Sequence, residues 1–361
     1  MRSIIPQLVR EIMKKLIKKL DRRKSSPPPT RITSETIEQH REHILAGGRK
    51  FKYPIQYARH RLVINTIIIS VSAVVIAISV GWWQLYPQQN SSEFMYRVTK
   101  VIPVPVAYVD GQPVLYSDYL MKYLSSVRYL ERKEQLNTKT DNGKRQIEYV
   151  KQMSMQYVIA NAYASKLAGK LDVSVSSNEL DTYLKALKKT STGEISEQTN
   201  NTVIMDYYGW SPSEYRYIIE KELLRQKVSY AMDEEALSTA TSIEKNLQKS
   251  PKTSLNKLSD SISRKNNVKT VYGTSGWVPK SNQDGGLAAG AVKLKKNEIS
   301  SVIKSTSDKG YYVIKLLGTR GDQVNYEYIN IPLTAFTKSL ENIIKSSKVT
   351  EFISIPNVND V

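Results

Sequence analysis

Leu62 to Trp83 (LVINTIIISVSAVVIAISVGWW) is a run of 22 residues without a single charge, and it constrains this chain more than any other feature. At about 1.5 Å of rise per residue, a helix of that length covers roughly 30 Å, the hydrocarbon thickness of a bilayer. Asn65, Thr66 and the serines are tolerable inside such a helix, and Trp82 and Trp83 suit the interfacial belt. The alternative is a buried helix of a soluble core, but such helices rarely lack a charged face over this length. A cleaved signal peptide is disfavoured, because the long charged segment from Met1 to Arg61 precedes the run. The expectation is one transmembrane helix over 62–83.

Charge sets the expected orientation. Residues 1–61 carry 16 Lys and Arg against five Asp and Glu, whereas 84–105 hold only Arg97, Lys100 and Glu93. The positive-inside rule places the N-terminus in the cytoplasm and residues 84–361 outside it, in a single-pass topology. The chain's net charge is +19. Most of it lies in the tail, so anionic lipid of the cytoplasmic leaflet is the expected partner and nucleic acid is not. Ile4, Ile5, Leu8, Ile12, Leu16 and Leu20 fall at helical spacing among lysines and arginines, which fits an interfacial amphipathic helix or equally a solvated basic tail. Pro27, Pro28 and Pro29 end any such helix. A linker is expected over 84–105.

Cysteine is absent, and histidine occurs only at His40, His43 and His60. Disulfides, thiolate metal sites and cysteine nucleophiles are excluded, and beyond residue 60 so is any imidazole-dependent triad or zinc site. His40 and His43 alone make a poor metal site. Gly47-Gly48 and Gly285-Gly286 are isolated pairs, not phosphate loops. No cofactor is expected. With 361 residues, 40% apolar and 24% charged, the chain has room for two or three domains with real cores.

Beyond the apolar run, Val104–Val109 reads as a strand leading into an Asp110-Gly111 turn, then a helix capped by Ser117 or Asp118. A longer helix carries Ile147, Val150, Met153, Tyr157, Ala160, Ala164, Leu167 and Leu171 as a core stripe. Ser176-x-x-Glu179 and Ser211-Pro212-Ser213-Glu214 are capping boxes. The phrase Val106-Ala107-Tyr108-Val109-Asp110-Gly111-Gln112-Pro113-Val114, with Ser117-Asp118-Tyr119 after it, resembles the opening of SurA-type periplasmic chaperone domains. That resemblance spans about 106–235. It implies a mostly helical module that binds unfolded or nascent secreted polypeptides in a bacterial envelope.

From 236 onward the pattern is helix, helix, strand, helix and two strands. Leu294-Lys295-Lys296-Asn297-Glu298-Ile299-Ser300, then Gly310-Tyr311-Tyr312-Val313-Ile314-Lys315-Leu316, resembles the end of parvulin-type (PpiC-like) prolyl isomerase domains; Gly273-x-x-Gly276-Trp277 is similar to their G-D-L-G-W turn. The departures carry more weight. By the resemblance, Tyr312 and Tyr328 stand where the family has its two histidines, Lys265 where it has Cys or Asp, and Gln283 and Leu287 where Met and Phe line the proline pocket. Trp277, Leu287 and Tyr312 are the implied substrate-binding residues. Prolyl isomerisation needs an apolar pocket and no nucleophile, so these replacements point to a degenerate pocket without forbidding activity.

The family's opening strand is missing before Ala236, and Val324–Ile331 resembles it. This segment is expected to fill the vacant place in the sheet, a circular permutation in effect; an appended edge strand is the alternative. Leu340, Ile343, Ile344 and Val349 suggest a closing helix. The fold class is therefore α+β: a cytoplasmic tail (1–61), a transmembrane helix, the linker, a SurA-like domain (106–235), a degenerate parvulin-like domain (236–335) and a C-terminal helix and tail (336–361). The expected function is a membrane-anchored folding factor, against an active isomerase or a non-catalytic envelope scaffold.

Overall fold

The computed structural model describes residues 33–52, 54–190, 193–266, 268–306 and 310–355. The amphipathic segment expected within residues 4–20, and the prolines after it, lie outside this set. The chain divides into two units, 1–81 and 82–361. In the first, α1 (Ser34–Lys52) carries His40 and His43, and no metal-binding cluster forms among the described residues. α2 (Pro54–Leu85) contains the apolar run, and its stretch His60–Leu85 is long and apolar enough to cross a membrane, with none of its most apolar window buried.

In the second unit the chain does not pass through a plain linker. Asn90 folds back onto Gln84, and Ser92 caps a helix, α3 (Glu93–Val101), by accepting from Met95 N. This differs from the expected linker over 84–105. A polar stretch of Gln, Asn and Ser reads as a connector, yet here those side chains tie it down. β1 (Pro105–Val109) and β2 (Gln112–Leu115) form a hairpin around Asp110-Gly111. α4 (Tyr116–Arg132) then starts two or three residues earlier than a cap at Ser117 or Asp118 would place it. Leu115 occupies the cap without a side-chain bond, and Asp118 instead accepts from the Tyr217 hydroxyl at 3.0 Å. α5 (Asp141–Leu171), α6 (Ser177–Leu187), the short β3 (Lys189–Thr190) and β4 (Gly193–Glu194), α7 (Glu197–Tyr208) and α8 (Pro212–Met232) complete the helical module. Ser176 accepts from Glu179 N, and Ser211 and Glu214 close a full capping box with Pro212 at the helix start.

The second module begins with α9 (Glu234–Lys249) and α10 (Leu255–Asn266). It continues through β5 (Val271–Thr274), β6 (Val278–Pro279), α11 (Leu287–Ala291), β7 (Ile303–Lys304), β8 (Tyr311–Arg320) and β9 (Gln323–Ile331). The antiparallel sheet runs β5-β9-β8-β7, with β6 pairing the far end of β9. β9 is thus central, not an appended edge: Tyr328 pairs with Gly273 on one side and Ile314 on the other. Alternation along β8 and β9 gives the sheet two buried faces. Tyr311, Val313, Ile329 and Ile331 pack under Ile243, Leu247 and Leu255; Tyr312, Ile314, Leu316 and Tyr326 pack under Leu287, Ala288 and Ala291. Gly310, just before β8, has φ +99, and a Cβ there would run into the Ile331 carbonyl, so this position accepts only glycine.

The chain then returns to the first module. α12 (Ala335–Lys345) lays Phe336 into the core formed by Val106, Tyr116, Leu120, Val158 and Tyr163. Val349, expected in the closing helix, lies instead in a strand, β10 (Val349–Glu351), which pairs antiparallel with β1. The chain has already turned at Ser346–Ser347, where Ser347 takes a positive φ. The crossing out of and back into the helical module is held by one buried carboxylate: Asp233 accepts from Ala236 N at 3.1 Å, Thr334 N at 2.6 Å and Ala335 N at 3.0 Å.

Candidate functional site

The face of the sheet under α11 gathers three of the six side chains that the sequence singles out. Asp284 precedes Gly285 and Gly286, both at positive φ, and its carboxylate accepts from Ala288 N at 2.9 Å, which starts α11 and aims Leu287 at the sheet. Leu287 and Tyr312 are 5% and 6% exposed and share one apolar cluster with Tyr326 and Tyr328. The Tyr312 and Tyr328 rings lie 5.6 Å apart between centroids at a tilt of 60°. Tyr328 is held from the other side by Gly273, where any Cβ would fall 2.5 Å from its ring. The Tyr326 hydroxyl donates to Asp284 at 2.5 Å.

Sequence reasoning does not single out Asp284 and Tyr326. They lie far apart along the chain, and only their positions, one before a Gly pair and one on the same strand face as Tyr328, hint at a contact. The remaining sequence-named residues stand apart. Gln283 faces solvent and donates to Ser281 O, Trp277 is 42% exposed beneath the Arg320 guanidinium at 4.9 Å, and the Lys265 side chain lies outside the described residues.

Electrostatics keep two phenols of this cluster from titrating near neutral pH. Burial pushes the Tyr312 phenol up, with Tyr328 and Asp284 adding to it, and burial and the Asp284 hydrogen bond push Tyr326 up further. Both remain protonated donors with apolar bodies, suited to packing and not to proton abstraction.

The helical module carries open surface of a different character. Tyr129, Tyr208, Trp210 and Tyr215 stack in a column, with successive centroids 5.4, 4.9 and 6.5 Å apart. Two grooves of about 470 Å³ each flank α4 and share Ser125 and Tyr208. One is lined by Tyr96, Met121, Leu124 and Trp210 between charged residues, the other by Tyr129, Tyr149, Met153 and Tyr157. Trp210 and Ser154, which line one groove each, keep their side-chain donors Nε1 and Oγ buried and without a hydrogen-bond partner. Lys122 and Arg225 both lie over the Tyr157 ring, 4.5 and 5.1 Å from its centroid. Met153, which sequence spacing assigns to the core stripe, is 43% exposed and belongs to groove surface. The helical spacing holds for Val150 and Ala164, but α5 turns its Met153 edge away from its neighbours.

One rim of the first groove is fixed by Glu214. Its carboxylate receives Tyr96 Oη at 2.5 Å, Lys100 Nζ at 2.8 Å and Ser211 N at 2.9 Å. Burial opposes its charge, but Lys100, Tyr96 and Ser211 together outweigh burial and hold its pKa down at about 2. A carboxylate depressed in the folded state stabilises fully above its unfolded value near 4.5, and that contribution is lost as the pH falls toward 2. Glu214→Gln is therefore expected to cost about 1–2 kcal/mol at pH 7. In urea titrations the variant and parent curves should converge near pH 2.

With the geometry established, comparison with known families gives two matches. Residues 56–229 match the SurA-like N-terminal domain, and residues 223–318 match the PPIC-type PPIASE domain. The chain carries a SurA-like N-terminal domain followed by a PpiC-type rotamase domain. No curated protein matches it. The SurA-like match includes the apolar helix, and the rotamase match ends at 318, before the central strand β9.

Proposed function

We propose that this chain is a membrane-anchored extracytoplasmic folding factor, whose helical module binds unfolded polypeptide and whose rotamase domain serves as non-catalytic support. The observation that carries the reading is the contrast between its two candidate sites. Leu287, Tyr312 and Tyr326 are packed shut within their own cluster, whereas the Tyr- and Trp-lined grooves beside α4 are open. Aromatic side chains with polar tips bind varied sequences at low ordering cost, and Tyr129, Tyr149 and Tyr157 supply such surface beside α4.

The exposed apolar stretch His60–Leu85 supports the anchor, and the basic excess before it supports a cytoplasmic N-terminus attracted to anionic lipid. The place of β9, central and beyond the rotamase match, supports the permuted sheet: the strand supplies from the C-terminal side what the family draws from the N-terminal side. Purified 84–361 should delay aggregation of several unrelated unfolded proteins, and Tyr149→Ser with Met153→Ser should weaken the effect several-fold. Suppression of none of them, with one stable partner recovered instead, would favour a dedicated scaffold.

A further inference from the structure

We infer that α3 and the residue after it form a lipid-seated collar, an interfacial surface that lays the extracytoplasmic module against the bilayer. The inference rests on the membrane-anchor reading above and goes beyond it, since an anchor alone leaves the module free to stand off on a tether.

The geometry comes from where α3 begins and ends. At its start, Asn90 N donates to Gln84 O at 2.9 Å and Asn90 Nδ2 to Gln84 Oε1 at 2.9 Å, while Ser92 N returns to Asn90 Oδ1 at 3.0 Å. At its end, the chain passes from Ile102 to Pro105, whose carbonyl accepts from Tyr86 Oη at 2.8 Å. Both ends are therefore tied to Gln84 and Tyr86, within the same unit. A nine-residue helix is only about 13 Å long. Leu85 is itself buried in the module's core, and the Tyr116 hydroxyl donates to its carbonyl at 2.7 Å, so Leu85 belongs to the module's own packing. α3 has no length with which to leave the neighbourhood of Trp82 and Trp83.

What α3 displays there is apolar. Phe94 is 67% exposed, Val101 81% and Ile102 60%, while Tyr96 and Thr99 face inward. Phe94, Arg97 and Val101 lie at steps of three and four, so one outward stripe has two apolar residues around an arginine. Such a stripe, with apolar bodies at acyl depth and a cation reaching the phosphates, fits the bilayer interface. In water the same three apolar residues would be a standing cost with no compensating partner.

The absence of cysteine makes the test direct. Single cysteines at Val74, Phe94, Val101 and Leu237 are labelled with an environment-sensitive fluorophore in the full chain, reconstituted in phosphatidylcholine nanodiscs with doxyl-labelled lipid. Leu237, 44% exposed on α9, is the distant control. The expected result is deep quenching at Val74, strong quenching by shallow doxyl groups at Phe94 and Val101, and none at Leu237. Phe94 and Val101 labels open to aqueous iodide beside a lipid-quenched Val74 overturn the collar and leave the anchor standing. Labels shielded from both quenchers overturn it in favour of protein contact. A water-exposed Val74 label removes anchor and collar together.

Discussion

Removal of residues 334–361 is expected to unfold the helical module, although that module is nearly complete in sequence by residue 232. Phe336 and Ile353 are 8% and 4% exposed in its core, and each contributes roughly 1.5–3 kcal/mol by burial alone. β10 covers β1 through pairing at Ala107, Tyr108 and Val109, and Asp110 N and Phe352 N complete the ladder at 2.7 and 2.9 Å. Ser339 adds a 2.7 Å hydrogen bond with the Tyr163 hydroxyl. The loss is on the order of 5 kcal/mol or more, comparable to the whole stability of many domains. In 84–361 the remaining tryptophans are Trp210 in the helical module and Trp277 in the rotamase domain, so each module has its own reporter. The truncated 84–333 should lose the cooperative urea transition at Trp210 while Trp277 keeps one. A Trp210 transition of unchanged midpoint would show that the returning segment is ornamental.

Asp233→Ala is expected to cost about 3 kcal/mol, because it strands three backbone donors at a buried position, one at the start of α9 and two at the start of α12. Its second effect is on coupling. The carboxylate joins the exit from the helical module to the re-entry, so the Trp210 and Trp277 transitions are expected to coincide in the parent and to separate when it is lost. Asp233→Asn keeps one acceptor oxygen and should fall between the two. A single coincident transition in Asp233→Ala, with its stability barely changed from the parent's, would mean that packing alone couples the modules.

Much of this architecture is legible in the sequence, and the illegible parts share one physical cause. Capping chemistry is local, so Ser176 and Ser211 mark their helices correctly. Val324–Ile331 can be placed beside Tyr311–Leu317 because strand alternation is local and a missing sheet slot demands an occupant. What escapes local reading is decided by partners far along the chain. Val349 continues a helical spacing, but β1, near the start of the helical module, draws it into a sheet. Asp118 has the composition of a cap, yet Tyr217 claims it. The Gln- and Asn-rich stretch after the apolar run reads as a linker until Gln84 and Pro105 fix its ends. In the rotamase face, Tyr312, Tyr328 and Leu287 follow from the family pattern, but Asp284 and Tyr326, which shut the cluster, follow only from the fold.

Under the proposed function the rotamase domain supports the helical module without a working proline pocket, since Leu287, Tyr312 and Tyr326 pack against one another. A proline-peptide isomerisation assay on 84–361 tests it most directly. At concentrations that suppress aggregation of unfolded proteins, the cis-to-trans rate should match the uncatalysed rate. Catalysed turnover that disappears in Tyr312→Ala would contradict the account.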